Sequence, residues 1–191
     1  MTVAAGSTIL ASDFTCLSCI PKPAGAPVGT LENPRTISSN TVLRVGLVVV
    51  PFQITVNKVT IISGSTVTTP GTFDLTLYSE DGQTQLFSVT TASVSAVDTI
   101  YTTAVSAVNL RPGNYYIAIN SNGTTNAIVE FWDTGTPTGH WTDTVSYLSD
   151  VASEPVYAGT VVISAGAPPA TITPTTITEG YEEIVIIRLD N

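Results

Sequence analysis

The chain has few charged residues, and most of its charge is of one sign. Lys and Arg number 6 against 15 Asp and Glu, the charged fraction of the 191 residues is 11%, and the net charge is −9. Soluble domains usually carry about a quarter charged residues. An acidic chain with scattered basic residues lacks the positive surface that nucleic acids and anionic membranes attract. We therefore expect no nucleic acid and no membrane among its partners.

Long apolar runs are also missing. The longest, Val45 to Phe52, is far shorter than the roughly 20 residues of a membrane-spanning helix. The N-terminus has no basic segment, and Gly6, Ser7 and Asp13 are among the residues that interrupt its apolar positions. These features do not match a signal peptide, so we expect the chain to be made and used without Sec export.

Two cysteines and one histidine leave little material for a metal centre. Cys16 and Cys19 form one CxxC pair, whereas a structural zinc site needs four ligands, and His140 is far away in the sequence. A zinc site shared between subunits, a redox pair and a local disulfide are three interpretations of the CxxC. We favour a fourth, in which two small apolar residues pack where the N-terminal segment docks.

No pattern of catalytic residues stands out. His140, Asp143 and Ser146 are triad residue types, but no G-x-S-x-G elbow accompanies them and they are too close together in one segment to converge. We interpret His140 as a surface-loop residue. The sequence therefore predicts a protein that is not an enzyme and has no catalytic residues.

Carboxylates are scattered rather than paired. Glu130 and Asp133 are close in sequence and Glu182-Glu183 are adjacent, and solvated surfaces explain these positions better than a glycosidase cleft. The loops SEDGQ and DTGTPTG offer oxygen ligands for calcium, but without the spacing of a known calcium loop. We expect no metal and no cofactor.

From Thr41 onward the hydrophobic period is two, which is typical of β-strands. In TFDLTLYS the apolar Phe73, Leu75 and Leu77 share one face, which predicts a sheet with one dry and one wet face. In NTVLRVGLVVVPF one face is predicted to carry Leu43, Val45, Leu47 and Val49.

Two local signals refine this pattern. Asp81-Gly82 lies between two strand patterns, which predicts a hairpin. The apolar register of ITVNKVTII shifts between Val56 and Val59, which predicts a bulge or bend at Asn57-Lys58.

The whole pattern predicts an all-β fold with eight to ten strands and no amphipathic helix. An antiparallel two-sheet sandwich, jelly-roll-like, is the natural way to bury such strands. We expect it to span residues 39–191 behind an extended N-terminal arm, residues 1–38. The Pro- and Thr-rich stretch SAGAPPATITPTTITEGY is expected to be an extended connector to a last strand, Glu182 to Asp190.

Two groups of apolar residues are candidates for binding partners. The arm is predicted to contact its partner through Ile9, Leu10, Phe14, Leu17 and Ile20. The aromatic residues Trp132, Trp141 and Tyr147 would form a platform for a glycan or a protein if they are exposed together; the alternative is that they belong to the core.

Some of these stretches are familiar. VNKVTIISGSTVTTPGTFDLTLYSEDGQTQL and VNLRPGNYYIAINSNG resemble β-sandwich domains of tailed-bacteriophage virion proteins, and AAGSTILASDF is similar to the N-terminal attachment stretch of phage fibre and decoration proteins. The resemblance covers about residues 1–14 and 55–132. It implies a homotrimeric, non-enzymatic structural role on the virion. The repetitive shaft of a long fibre is missing, so a capsid decoration (cement) protein fits better.

The leading hypothesis is therefore a protein that binds and stabilises the assembled phage head, with the arm contacting the major capsid protein or another virion protein. A short tail or head fibre, or adhesin, that binds a host glycan through the aromatic platform is a second hypothesis. A carbohydrate-binding module cut from a larger enzyme is a third.

Overall fold

The computed structural model describes residues 16–17, 34–37, 40–50, 52–64, 67, 69–121, 127–130, 158–179 and 187–190, with the backbone alone for residues 16–17, 34–37, 127–130, 158, 179 and 188. Within these residues every regular element is a β-strand, apart from one turn of 3-10 helix at Pro174–Thr176. The all-β prediction is confirmed, and it follows from the period-two pattern and the Ser- and Thr-rich composition.

The described part of the chain contains twelve strands. They are β1 Cys16–Leu17, β2 Pro34–Ile37, β3 Val42–Val50, β4 Ile54–Ile62, β5 Phe73–Ser79, β6 Gln85–Thr90, β7 Ile100–Leu110, β8 Gly113–Ser121, β9 Ala127–Glu130, β10 Ala158–Val162, β11 Thr178–Glu179 and β12 Ile187–Asp190.

The strands form two main antiparallel sheets. One has six strands in the order β11-β10-β3-β8-β5-β6, the other has four in the order β1-β12-β4-β7, and β2 and β9 form a separate ribbon. Between residues 42 and 121 the pairing is nested, because β5 pairs with β6, β4 with β7 and β3 with β8. These nested pairs form one long ribbon that folds back on itself, so that β8 is hydrogen-bonded to β5 as well as to β3. A ribbon wound in this way is jelly-roll-like, as the sequence predicts.

The main core lies between the two sheets. Phe73, Leu75 and Leu77 of β5 are fully buried there and pack in one cluster with residues of β4, among them Val59 and Ile61. These are the β5 residues that the alternating pattern places on one face, so this part of the prediction is confirmed.

The prediction of a wet second face is wrong for the central strands. On β5 the alternate residues Asp74, Thr76 and Tyr78 are also buried, and on β8 the same is true of Tyr116 and Ala118. The physical reason is that residues 163–177, which include most of the predicted connector (residues 164–181), fold back over this outer face of the six-stranded sheet.

Strand β3 is only partly as predicted. Leu43 and Val45 are buried under residues 163–177, but Val49 on the same face is 55% exposed. Val48 and Val50, on the opposite face, are buried in the main core instead. Since β3 is covered on both faces along different parts of its length, a single apolar face could not describe it.

Both local signals are confirmed. The register between β4 and β7 shifts between Val56 and Lys58, where one residue of β4 faces three of β7, Val105–Ala107. In the β5–β6 hairpin the Asp81 carboxylate accepts hydrogen bonds from Ser79 Oγ at 2.6 Å and from the Gln83 amide at 3.0 Å. Gly82 takes φ +69°, which a residue without a Cβ adopts at little cost.

Both ends of the chain contribute strands. β12 lies inside the four-stranded sheet, between β1 and β4, which agrees with a central position for the predicted last strand. Residues 182–186 of that predicted strand lie outside the described residues. From the predicted arm, β1 pairs with β12 (Cys16↔Leu189) and β2 pairs with β9 (Pro34↔Glu130).

Candidate functional site

Most of the site residues predicted from the sequence lie outside the described residues. Cys16 and Leu17 are placed, as β1, and the backbone of Glu130 is placed at the end of β9. The others are not described: Ile9, Leu10, Phe14, Ile20, Cys19, Trp132, Asp133, His140, Trp141, Asp143, Ser146, Tyr147, Glu182 and Glu183. The arm contacts and the aromatic platform therefore stay predictions.

In the described part of the chain no group of three or more His, Cys, Asp or Glu side chains is arranged to hold a metal ion. The acidic loop SEDGQ uses its central carboxylate for the turn. The hydrogen bond from Ser79, followed by that from the Gln83 amide, lowers the pKa of Asp81. The loop is thus explained by hairpin geometry, in which an Asp side chain caps its own turn.

We call residues 163–177 the strap, because they cross the outer face of the six-stranded sheet. At its start the Ile163 amide donates to Thr41 O at 2.9 Å. Further along, the Asn120 Nδ2 donates to Gly166 O at 3.1 Å. Beyond that, the Tyr78 hydroxyl donates to Pro169 O at 2.7 Å. The sheet therefore satisfies the carbonyl groups of Gly166 and Pro169 with side-chain donors, as buried backbone requires.

The far end of the strap is held by the β5–β6 hairpin. The Ile172 amide donates to Gly82 O at 2.9 Å, and Gln83 Nε2 donates to Ile172 O at 3.3 Å. A Cβ on Gly82 would collide with the carbonyl oxygen of Ile172. The close approach of strap and hairpin therefore requires glycine at this position.

A second apolar cluster lies beneath the strap. Ile172 and Ile177 of the strap are buried there against Leu43, Val45 and Tyr116 of the sheet. This burial of apolar area holds the strap in place together with its hydrogen bonds. The part of the outer face around Leu43, Val45 and Tyr116 is thus occupied by the chain itself.

The remaining candidate is a surface on the other sheet. Val97 and Ile100 are 49% and 60% exposed, which is unusual for large apolar side chains, and they are three residues apart at the start of β7. Thr102 and Ala104 continue along the same face and are also exposed. We call Val97, Ile100, Thr102 and Ala104 the β7 surface.

The turn that carries Val97 is held firmly. Ser63 Oγ donates to Ala96 O at 2.7 Å and accepts from the Thr99 amide at 2.9 Å. The Tyr101 hydroxyl accepts from the Ala96 amide at 2.8 Å. An exposed apolar side chain on a fixed turn loses little conformational freedom when it binds a partner.

The β7 surface is also nearly uncharged. The eleven residues of β7, IYTTAVSAVNL, contain no Asp, Glu, Lys or Arg. On the neighbouring strand Lys58 lies opposite Ala104, and in the preceding turn Asp98 is exposed. The Asp190 carboxylate accepts a hydrogen bond from Thr60, which lies beside Thr102. A partly apolar surface with few charges, on a chain of net charge −9, is suited to contact with a protein rather than with a polar solute.

Sequence reasoning did not find this surface. The residues of β7 alternate like those of any half-buried strand, and exposure of Ile100 cannot be read from its type. The one available signal is the lack of charge along the eleven residues of β7. Charged side chains usually keep an edge strand from pairing with another chain, and β7 lacks them.

No helix in the described ranges is long and apolar enough to cross a membrane. Comparisons of the chain with protein-family models, with curated proteins and with solved structures found no match.

Proposed function

We propose that this chain is a non-enzymatic structural protein of the phage virion surface, a capsid decoration protein that binds the assembled head and stabilises it. The observation that carries the proposal is the pairing of β1 with β12, in which Cys16 and Leu17 of the N-terminal arm add a strand to the edge of the four-stranded sheet. The sequence resemblance to virion β-sandwich proteins supplies the setting.

An arm that adds strands is a general means of attachment. Strand addition uses backbone hydrogen bonds, so it needs only an accessible sheet edge and side chains that fit alternate pockets. The arm is rich in proline, which keeps it extended and lowers the entropy lost when it docks. Exchange of such an element between neighbouring subunits is a low-cost route to assembly.

The stabilising mechanism would be mass action. A protein that binds the assembled shell and not its separated subunits shifts the equilibrium toward the shell. Several arms linked through one oligomer multiply weak contacts through their effective concentration. The homotrimer that the resemblance implies belongs to this proposal.

The location of the protein on the virion tests the proposal directly. Immunogold electron microscopy of virions, with antibody to residues 41–191, should label the whole head. Label confined to the tail or to one vertex would contradict decoration and favour the fibre hypothesis. In that case Trp141→Ala should abolish binding to host cells while the domain stays folded.

The role of the arm is tested with full-length variants. Leu10→Asp places a charge at a predicted apolar contact and should abolish binding to heads that lack the protein. Ser12→Asp introduces the same charge at a polar position of the arm and should bind nearly as well as the wild type. Equal binding by both variants in a co-sedimentation assay would show that the arm is not the attachment element.

A further inference from the structure

We propose that two copies of this chain pair through β7, strand against strand, about a two-fold axis at Thr102. The proposal concerns the protein in solution and does not depend on attachment to a virion. The contact would join the two four-stranded sheets, each ending in β7, into one continuous antiparallel sheet.

The first reason is that β7 is an edge. It is the last strand of its sheet, and among the described strands its second edge has no partner. Edge strands present unpaired N–H and C=O groups, and proteins usually protect them with Lys, Pro or a bulge. β7 contains neither Lys nor Pro, and its bulge at Val105–Ala107 protects only the middle of the strand. None of the described strands is hydrogen-bonded to the second edge of the half Ile100–Ala104, and this is the half that we expect to pair.

The second reason is that this half of β7 complements itself in size. Antiparallel pairing centred on Thr102 places Ile100 opposite Ala104 of the second copy, and Tyr101 opposite Thr103 of the second copy. Large side chains thus lie against small ones across the contact. The exposed Ile100 would be covered, which accounts for a large apolar residue at this position.

The third reason is electrostatic. Two copies of a chain with net charge −9 repel each other, so a stable contact needs a surface without opposed carboxylates. β7 has no charged residue to oppose its own copy. Asp98, the acidic residue of the preceding turn, would lie opposite Ser106 of the second copy and not opposite another carboxylate. A two-fold contact of this kind is also closed, because it uses each β7 edge once.

Analytical ultracentrifugation of the full chain tests the contact with one substitution. Ala104→Glu would place a charge against Ile100 of the second copy, and in the separate chain it would face Lys58 across the sheet, so the fold should persist. We expect the assembly mass to fall to one half and the dissociation constant to rise about 100-fold. The control Ala170→Glu makes the same change at an exposed position of the strap and should leave the mass unchanged.

The proposal would be overturned if the wild type sedimented as a monomer at high concentration. That result is expected if residues 131–157 of the same chain cover the β7 edge. The proposal would also be overturned if Ala104→Glu retained the wild-type mass, or if Ala170→Glu reduced the mass equally. The factor of one half is expected for a dimer, and also for two trimers joined through their β7 edges.

A cross-link tests the register. Directly opposed residues in an antiparallel pair have Cα atoms about 4.5–5.5 Å apart, which a disulfide can span. In a Cys16→Ser, Cys19→Ser background, Thr102→Cys should form a covalent dimer on mild oxidation. Ser88→Cys, at an exposed position on the edge strand of the other sheet, should not. A protein that dimerises without cross-linking at position 102 would show that the register is wrong.

Discussion

The Tyr78 hydroxyl donates a 2.7 Å hydrogen bond to the backbone carbonyl of Pro169, which lies 91 positions further along the chain. The contact joins β5, next to the edge strand β6 of the six-stranded sheet, to the middle of the strap. Gln85 Nε2 donates to the same carbonyl at 3.3 Å, so Pro169 keeps one donor if Tyr78 is altered.

Removing the Tyr78 hydroxyl should therefore weaken the strap without unfolding the domain. We expect Tyr78→Phe to lower the free energy of unfolding by about 1 kcal/mol, the usual net value of one hydrogen bond. Urea denaturation measures the change. Tyr115→Phe removes an exposed hydroxyl that donates to Arg111 O, and should cost clearly less. Equal losses of unfolding free energy in the two variants would mean that the hydrogen bond to the strap stabilises the fold no more than an exposed one.

Alkaline pH should act on the same residue. Burial raises the pKa of Tyr78 from 10.0 to about 12. Between these values the unfolded chain loses the phenolic proton while the folded protein keeps it, so the free energy of unfolding should fall as the pH rises. The loss of unfolding free energy that this one residue causes is on the order of 2 kcal/mol. Tyr78→Phe lacks this contribution, and its advantage should appear as a shallower loss of stability above about pH 10. Parallel pH profiles for the two proteins would contradict the assignment to Tyr78.

Any side chain at Gly82 should detach the strap from the hairpin. Gly82→Ala combines a strained positive φ with a collision against the Ile172 carbonyl, and should cost roughly 2 kcal/mol or more. Hydrogen exchange at the Ile172 amide, which donates to Gly82 O, should accelerate in the variant. Gly82→Asn separates the two causes, because Asn tolerates positive φ better but still carries a Cβ. Near wild-type behaviour of Gly82→Asn would rule out the collision.

The turn that carries Val97 should depend on Ser63. Ser63 is fully buried, and its hydroxyl bonds to Ala96 O and to the Thr99 amide. Ser63→Ala leaves these groups without that partner, so we expect a loss of about 1–3 kcal/mol in unfolding and weaker self-association. Ser164→Ala, at an exposed position of the strap, is the control and should change neither. If Ser63→Ala left both measurements unchanged, the turn would not depend on this hydroxyl.

Acid should loosen the β5–β6 hairpin through Asp81. The Ser79 hydroxyl holds the pKa of this carboxyl below its usual range, so the folded state binds the proton less readily than the unfolded chain. This contribution is present above the unfolded pKa and is lost as the pH falls through the folded pKa. NMR titration of the Asp81 carboxyl carbon should give a midpoint below that of an unfolded peptide with the same sequence. A midpoint equal to that of the peptide would contradict the turn hydrogen bonds.

Local features of the fold were predictable because their causes are local. The alternation of Phe73, Leu75 and Leu77 indicates a face of a strand, and Asp81-Gly82 indicates a hairpin, because backbone geometry fixes side-chain direction and turn preference within a few residues. The shift near Asn57-Lys58 was visible for the same reason. The all-β class and the sandwich follow from many such segments.

The outer face of the six-stranded sheet could not be predicted in this way. Asp74, Thr76 and Tyr78 are the polar alternates of β5 and predict solvent exposure, yet they are buried. Over this part of the sheet the strap binds through backbone carbonyls, such as those of Gly166 and Pro169, and every residue type has a carbonyl. A contact that does not depend on residue type leaves no pattern in the sequence.

By itself, the sequence determined the core-facing side of β5, the hairpin, the low charge and the Pro-rich composition of residues 21–34, all of which depend on residue types and short spacings. Tertiary structure alone decided which strand would end a sheet. β7 ends its sheet because β4 pairs with one of its edges and the next strand along the chain, β8, belongs to the other sheet. That choice depends on the winding of the whole ribbon, and it leaves Ile100 exposed at a position where its residue type indicates burial.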